Sequence, residues 1–221
     1  MKNNTTVIRE QKRINRIEIT GTVLLSIASL AVAWCSYQSN LWNGKQVFTL
    51  AESNLLYKHA QEKSAMLAQH QEIDAAVTIN FMEAVLDNRP NRVDYYLRRA
   101  RPEMAAVLNT WLSMDPLHND QAPAHPLMME EYKLLGGSMR AAVDSVNQQA
   151  DLLWKQAQRF NKISDSYILY TVIFSLIMFF AALATKLTNE KIVITGLVFA
   201  VALCLASLLL LFFSMPLANI S

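Results

Sequence analysis

Hydrophobic and polar positions divide the chain into three long apolar stretches, with a mixed region between the first and the second. Residues 19–37 carry no Asp, Glu, Lys, Arg or His, and residues 167–185 and 192–214 are equally free of them. A helix needs about 20 mainly apolar residues to cross a hydrocarbon core about 30 Å thick. The pattern therefore predicts three transmembrane helices.

The first apolar stretch also resembles a secretory signal, because a basic segment precedes it and Ala31-Val32-Ala33 has the small residues of a cleavage site. Its apolar length of about 19 residues exceeds the 7–15 that are typical of a signal peptide. We therefore expect an uncleaved anchor.

Basic residues predict the orientation of the spans. Five Lys or Arg residues precede the first span, and Lys186 and Lys191 lie in the turn between the second and third. Short cytoplasmic flanks are enriched in Lys and Arg, so both segments are expected on the cytoplasmic side; the opposite orientation is the alternative. The predicted organisation is a cytoplasmic segment (1–18), span one (19–38), an extracytoplasmic domain (39–166), span two (167–185), a cytoplasmic turn (186–191), span three (192–214) and an extracytoplasmic tail (215–221).

The extracytoplasmic domain is predicted to be helical, because its sequence has no strand-like alternation and is rich in helix-favouring residues. One helix is expected over Lys45–Asp87 and a second over Arg92–Met114, bent at Pro102. A third is expected from Leu127 to Ile163, running straight into span two, with Gly136-Gly137 weakening its first turns. The fold class is therefore all-α: three transmembrane helices plus a long-helix, coiled-coil-like outer domain.

The third outer helix carries a heptad pattern, which is typical of a seam that packs against another helix. Its first row is Tyr132, Met139, Val146, Leu153 and Phe160, and its second row is Leu135, Ala142, Gln149, Gln156 and Ile163. The first outer helix is a weaker match. Its row is Ala51, Leu55, Met66, Ile73, Val77 and Ala84, interrupted by Glu62, Gln69 and Asn80. An antiparallel pair within one chain and a seam between subunits are both open.

Two spans contain rows of small residues at spacings that allow helices to approach closely. On the first span they are Thr22, Ser26, Ser29 and Ala33, and on the third Gly196, Ala200, Cys204 and Ser207. These rows are expected to pack spans of one chain or to join chains.

Charge narrows the range of partners. The net charge of +2 is too small for a nucleic-acid-binding domain, which is usually strongly basic. The one dense basic cluster, Arg98, Arg99 and Arg101, could bind an anion or an acidic partner. The alternative is a helix face whose arginines pair with nearby Asp and Glu residues.

Candidate chemistry is sparse. His59 and His70, and the loop residues Asp115, His118 and His125, are more typical of solvated surface than of a metal site, and no cofactor is expected. No phosphate loop, nucleophile elbow or zinc-protease helix occurs. The spans lack the ionisable residues of pumps and proton relays. An enzyme and an active transporter are therefore not expected.

Two segments resemble a family of uncharacterised bacterial three-span inner-membrane proteins with a helical periplasmic domain. The first is Trp34-Cys35-Ser36-Tyr37-Gln38 with Trp42-Asn43-Gly44; the second contains Arg101-Pro102-Glu103, Trp111, Asp115-Pro116-Leu117 and Glu131-Tyr132. The resemblance implies a bacterial inner-membrane location. It implies no activity.

Taken with the seam and the small-residue rows, these features predict a non-enzymatic membrane protein. Its expected partners are membrane lipid and either further copies of itself or another membrane protein, which it contacts through its outer helices. The alternative is an oligomeric channel whose pore is lined by the polar face of span one, since a pore needs no charged side chain.

Overall fold

The chain is α-helical in a computed structural model that describes residues 2–184, 186 and 189–218; the side chains of residues 2–14 and 190 are outside the description. Its helices are α1 (Lys2–Leu86), α2 (Pro90–Arg99), α3 (Pro102–Ser113), α4 (Glu130–Ala184) and α5 (Glu190–Ser214). A short 3₁₀ turn, Pro126–Met128, precedes α4. None of the described residues forms a strand, so the predicted all-α class is confirmed.

Three of these helices, α1, α4 and α5, are long and apolar enough to cross a membrane, as the sequence predicts. The first predicted span and the first predicted outer helix are one continuous helix, α1. The third outer helix likewise continues into the second span as α4, which confirms that prediction. Gly136 and Gly137 lie inside α4 and do not delay its start.

The middle of the chain departs from the predicted boundaries. The helix expected over Arg92–Met114 is two helices, because Ala100 and Arg101 both have an extended ψ of 152°. A residue before proline is disfavoured in the helical region, so Pro102 ends one helix and begins the next. At the end of α1, Asn88 has a φ of 51°. The Arg89 N–H then donates to the Ala84 carbonyl at 2.9 Å, which caps the helix.

Contacts divide the chain into two compact units. The span unit comprises the chain up to Leu50 and again from Trp154, and the middle unit is Ala51–Leu153. The buried core of the middle unit joins Phe81 of α1, four residues of α3 and Met129. The α3 residues are Met104, Val107, Leu108 and Trp111.

The core of the span unit lies between α1, α4 and α5. Buried positions on each helix recur at steps of three, four or seven residues, which places them in one stripe. On α1 this stripe is Leu24, Ala28, Ala31, Cys35 and Gln38; on α4 it is Tyr167, Phe174, Ile177, Ala181 and Ala184; on α5 it is Val193, Leu197, Ala200, Cys204 and Leu211.

Candidate functional site

The first row of the predicted α4 seam faces the interior of the protein. All five of its side chains are partly buried: Tyr132, Met139, Val146, Leu153 and Phe160. Within the middle unit, Ser53 of α1 donates a hydrogen bond of 2.8 Å to the Ala150 carbonyl of α4, and both residues are fully buried. The hydroxyl of Tyr57 donates to the Asp151 carboxylate and this raises the pKa of Tyr57. An antiparallel pairing within one chain is therefore present.

The second row of this intrachain pairing lies one residue later than predicted. Ala142, Gln149 and Gln156 are exposed, while Leu135 and Ile163 are partly buried. The buried row instead contains Ala150, Ala157 and Ser164. These side chains are small, so α1 and α4 can approach closely there, whereas two glutamines would have to bury amide groups. Whether the exposed row contacts another subunit stays a prediction.

The facing row on α1 is also shifted. It runs through Ser53, Ala60, Leu67, Asp74 and Phe81, of which all but Leu67 are buried. Of the apolar residues expected to form it, Ala51, Leu55, Met66 and Ile73 are exposed, whereas Val77 is partly buried and Ala84 is buried. The predicted row is therefore exposed from Ala51 to Ile73 and becomes buried towards the end of α1.

The shift gives a direct test of register. Ala150→Leu is expected to destabilise the middle unit by about 1–3 kcal/mol, because it adds volume to a closely packed site. Gln149→Leu, one position away on the exposed face, should change the unfolding free energy by less than about 0.5 kcal/mol. Thermal unfolding of the two variants, followed by circular dichroism, compares them. Equal effects would contradict the observed register.

The predicted basic patch does not form one surface. Arg98 is exposed and pairs with Asp94 on the same helix at 2.6 Å, and the guanidinium of Arg99 lies 6.0 Å from the ring centroid of Tyr95. Arg101 is turned inward and binds both carboxylate oxygens of Asp74, at 3.0 and 2.5 Å. The three arginines thus have different partners. Arg98 pairs with a nearby Asp as the alternative expected, whereas Arg99 lies over Tyr95 and Arg101 binds Asp74 on another helix.

Asp74 and Arg101 form a polar centre where α1, α4 and the start of α3 meet. The Asp74 side chain is 2% exposed and that of Arg101 is 22% exposed. The hydrogen bond to Asp74 raises the pKa of Arg101. Burial raises the pKa of Tyr132, and the charge of Asp74 and a hydrogen bond to it act in the same direction. These shifts favour a charged guanidinium and a neutral phenol, so the centre is held as an ion pair with a phenolic donor.

The two small-residue rows of the spans have different environments. On α5, Ala200, Cys204 and Ser207 are buried within the chain, and Gly196 is partly buried. On α1, by contrast, Thr22, Ser26, Ser29 and Ala33 are all exposed. The α5 row therefore packs the chain's own helices together. The α1 row, which we call the α1 stripe, faces outward.

Two hydroxyls of the α1 stripe are satisfied by the helix itself. Thr22 Oγ1 donates to the Glu18 carbonyl at 2.8 Å, and Ser26 Oγ donates to the Thr22 carbonyl at 2.9 Å. An unpaired hydroxyl in hydrocarbon is costly, and these bonds remove that cost. The stripe can therefore face lipid or another helix without water.

A polar clamp at the end of the span unit has no counterpart among the sequence predictions. The side-chain oxygen of buried Gln38 accepts from the Ala218 N–H at 2.8 Å. The carbonyl of Pro216 accepts from Trp42 Nε1 at 3.1 Å and from the Tyr167 hydroxyl at 3.0 Å. The clamp fixes the segment that follows α5 against α1 and α4.

Histidine and acidic side chains do not converge on a metal site. His59 lies 3.4 Å from Glu62, and His118 lies 3.0 Å from Asp115, in both cases on the surface. Over residues 2–184, 186 and 189–218, no group of three His, Cys, Asp or Glu side chains has the arrangement that a metal ion needs.

No protein-family model, curated protein or solved structure matches the chain.

Proposed function

We propose that the chain is a non-enzymatic integral membrane protein that serves as an oligomeric scaffold or as an accessory subunit of a membrane complex. The observation that carries this proposal is the α1 stripe. Small side chains recur along one face of a helix that is apolar enough to cross a membrane, and the chain's own helices do not cover them.

Membrane helices associate through close packing and not through a hydrophobic driving force, because lipid tails are as apolar as leucine. Rows of Gly, Ala, Ser and Thr let two backbones approach closely. The α5 row already packs in this way inside the chain. By the same physics, the α1 stripe supports contact with a helix of a second chain.

The middle unit offers a second exposed surface on the same helix. Leu55, Met66 and Ile73 of α1 are 53%, 57% and 50% exposed. These residues lie outside the predicted spans, where an apolar side chain meets water. Grouped exposed apolar side chains are typical of interaction surfaces. This supports a partner that contacts α1 both within the spans and beyond them, in the coiled-coil-like manner that the heptad pattern predicts.

The proposed location is the bacterial inner membrane, with residues 39–166 on the extracytoplasmic side. It is supported by the basic residues that flank the first span and by Lys186 and Lys191 between the second and third. The resemblance to three-span bacterial proteins supports the same location.

Enlarging the α1 stripe should disrupt the assembly. We expect the wild-type chain, purified in mild detergent or native nanodiscs, to have the mass of an integer multiple of 25.0 kDa or to carry a stoichiometric second protein. Ser29→Trp should reduce this to a single chain of 25.0 kDa, because the indole prevents close approach of the backbones. Native mass spectrometry measures the species directly.

The matched control is Leu30→Trp, at the next position and 74% exposed, which points away from the stripe. It should leave the assembly intact. A wild-type chain that is monomeric and brings no second protein would refute the proposal. If Ser29→Trp and Leu30→Trp dissociate the assembly equally, the α1 stripe is not the contact surface.

The exposed hydroxyls of the same stripe favour one second candidate, an oligomeric channel. If the stripes of several chains face a common axis, Thr22, Ser26 and Ser29 would line it, and a pore can work with hydroxyl groups alone. Conductance of the purified oligomer in planar bilayers tests this candidate. If the oligomer shows no conductance but its assembly still depends on Ser29, the channel candidate is refuted and the scaffold proposal stands.

A further inference from the structure

A polar groove lies between α1 and α4 in the span unit, close to where the apolar stretches end. We call it the juxtamembrane groove. Its volume is about 490 Å³, and its polar lining consists of Gln46, Trp154, Gln158, Asn161 and Lys162. None of the stability or assembly features described above uses these side chains. Convergent polar groups of this kind fix the orientation of a ligand and provide specificity.

One group in this groove has an unmet hydrogen-bonding requirement. The side-chain oxygen of Gln46 is buried and accepts no hydrogen bond from the residues that the structure describes. Asn161 Nδ2 donates one hydrogen to Asp165 at 2.9 Å, which leaves the second amide hydrogen and the amide oxygen of Asn161 for a ligand. A buried polar atom without a partner is costly. The groove therefore selects a ligand that brings hydrogen-bond donors.

The remaining lining groups define the rest of the ligand. Lys162 supplies a cation with three donors, and no acidic side chain lines the groove. Trp154 is 42% exposed and offers an apolar ring face beside the amides. A sugar ring can stack on an indole, and its hydroxyls can form hydrogen bonds with carboxamide groups. The groove offers both. The cation adds a preference for phosphate or carboxylate.

The height of the groove above the membrane is compatible with such a ligand. Along an ideal helix, Lys162 is about 8 Å and Gln46 about 14 Å beyond Tyr167 and Tyr37, which mark the predicted ends of the spans. The headgroup layer is about 5–7 Å thick on each side of the hydrocarbon. The groove thus begins at the outer edge of that layer and reaches about 20 Å beyond Tyr167 at Trp154. This height suits a free glycan or an extended glycan carried by a lipid.

We propose that the juxtamembrane groove binds an anionic glycan, with a sugar ring on Trp154, its hydroxyls donating to Gln46 and Asn161, and its acidic group on Lys162. The volume of about 490 Å³ accommodates one or two sugar rings. This site is independent of the α1 stripe and of the proposed assembly.

The test uses the full-length protein in phosphatidylcholine nanodiscs with two probes. Glucose 1-phosphate is the free probe, observed by saturation-transfer NMR, with glucose as its uncharged analogue. A sialylated ganglioside, whose headgroup carries several sugars and a carboxylate, is the lipid-borne probe, observed as bound lipid by native mass spectrometry, with its desialylated form as reference. We expect glucose 1-phosphate to bind at least fivefold more tightly than glucose, or the sialylated ganglioside to be retained over its desialylated form.

Variants assign the binding to the groove. Trp154→Ala should lower the affinity for the probe about tenfold. Lys162→Gln should remove the preference for the phosphorylated sugar over glucose. Lys155→Gln, at an exposed cation outside the groove lining, should leave both unchanged. Unaltered circular dichroism of the Lys162 variant shows that it is folded.

The outcomes divide as follows. Binding of glucose 1-phosphate would show that a free glycan is sufficient. Retention of the sialylated ganglioside alone would show that the glycan must be carried by a lipid. Both results support the site. The proposal is overturned if neither probe binds, or if Lys155→Gln and Lys162→Gln weaken binding equally.

Discussion

Asp74→Asn is expected to destabilise the middle unit by about 3–5 kcal/mol, the usual cost of breaking a buried ion pair by removing one partner. The substitution leaves the guanidinium of Arg101 largely buried, where it has two hydrogen bonds to Asp74 in the native chain. Hydrogen exchange followed by mass spectrometry on the full chain measures the effect, because it reports the opening free energy of peptides from α3 separately from the spans.

Asp94→Asn is the matched control for this prediction. It removes the same charge from an exposed pair with Arg98, and exposed pairs contribute about 0–1 kcal/mol. A double replacement, Asp74→Leu with Arg101→Met, should recover most of the lost stability, since a well-packed apolar pair can substitute for a buried ion pair. If Asp74→Asn is no more destabilising than Asp94→Asn, the centre is not buried as described.

Phe81→Ala is expected to lower the stability of the middle unit by about 3–5 kcal/mol. Phe81 is 0% exposed, and its ring centroid lies 6.2 Å from that of Trp111 in an edge-to-face arrangement. Truncation removes apolar contacts and leaves a cavity between α1 and α3 that rigid helices fill poorly. The same exchange experiment on α3 peptides measures the loss, and the near-ultraviolet dichroism of Trp111 should weaken.

Leu86→Ala provides the comparison for Phe81, on the same helix and at 66% exposure. Its effect should stay within about 0.5 kcal/mol, as is usual for a surface site. Similar losses for both substitutions would mean that α1 does not share a core with α3. Phe81→Leu should fall between the two, because it leaves a smaller cavity.

The spans were predictable because their signal is local. A stretch such as 192–214 without an ionisable residue has few structural alternatives. The first row of the α4 seam was predictable for a related reason, since Val146 and Leu153 are large and apolar. Its second row was not, because Ala150 and Ser164 are small or polar and only the approach of α1 makes them buried. Hydrophobicity alone selects Leu55 and Ile73 on α1, which are exposed.

Contacts between distant positions were outside the reach of sequence patterns. Arg101 appeared to belong with Arg98 and Arg99, since all three lie within four residues. Its true partner, Asp74, is 27 positions away, on another helix. The Gln46 oxygen that supports the juxtamembrane groove is likewise an ordinary surface glutamine by sequence. Only the packing of α4 against α1 shows it to be buried and unpaired.

The clamp between Gln38 and Ala218 constrains the order of events during synthesis. The two residues are 180 positions apart, and ribosomes add about 5–20 residues per second in the cell. The first span must therefore wait about 10–35 s, by that rate, before the segment that closes its end emerges. During this interval Gln38 and Trp42 have no native partner in Met215–Ala218. The contacts of Gln38 and Trp42 with this segment can therefore form only after α5 has been synthesised.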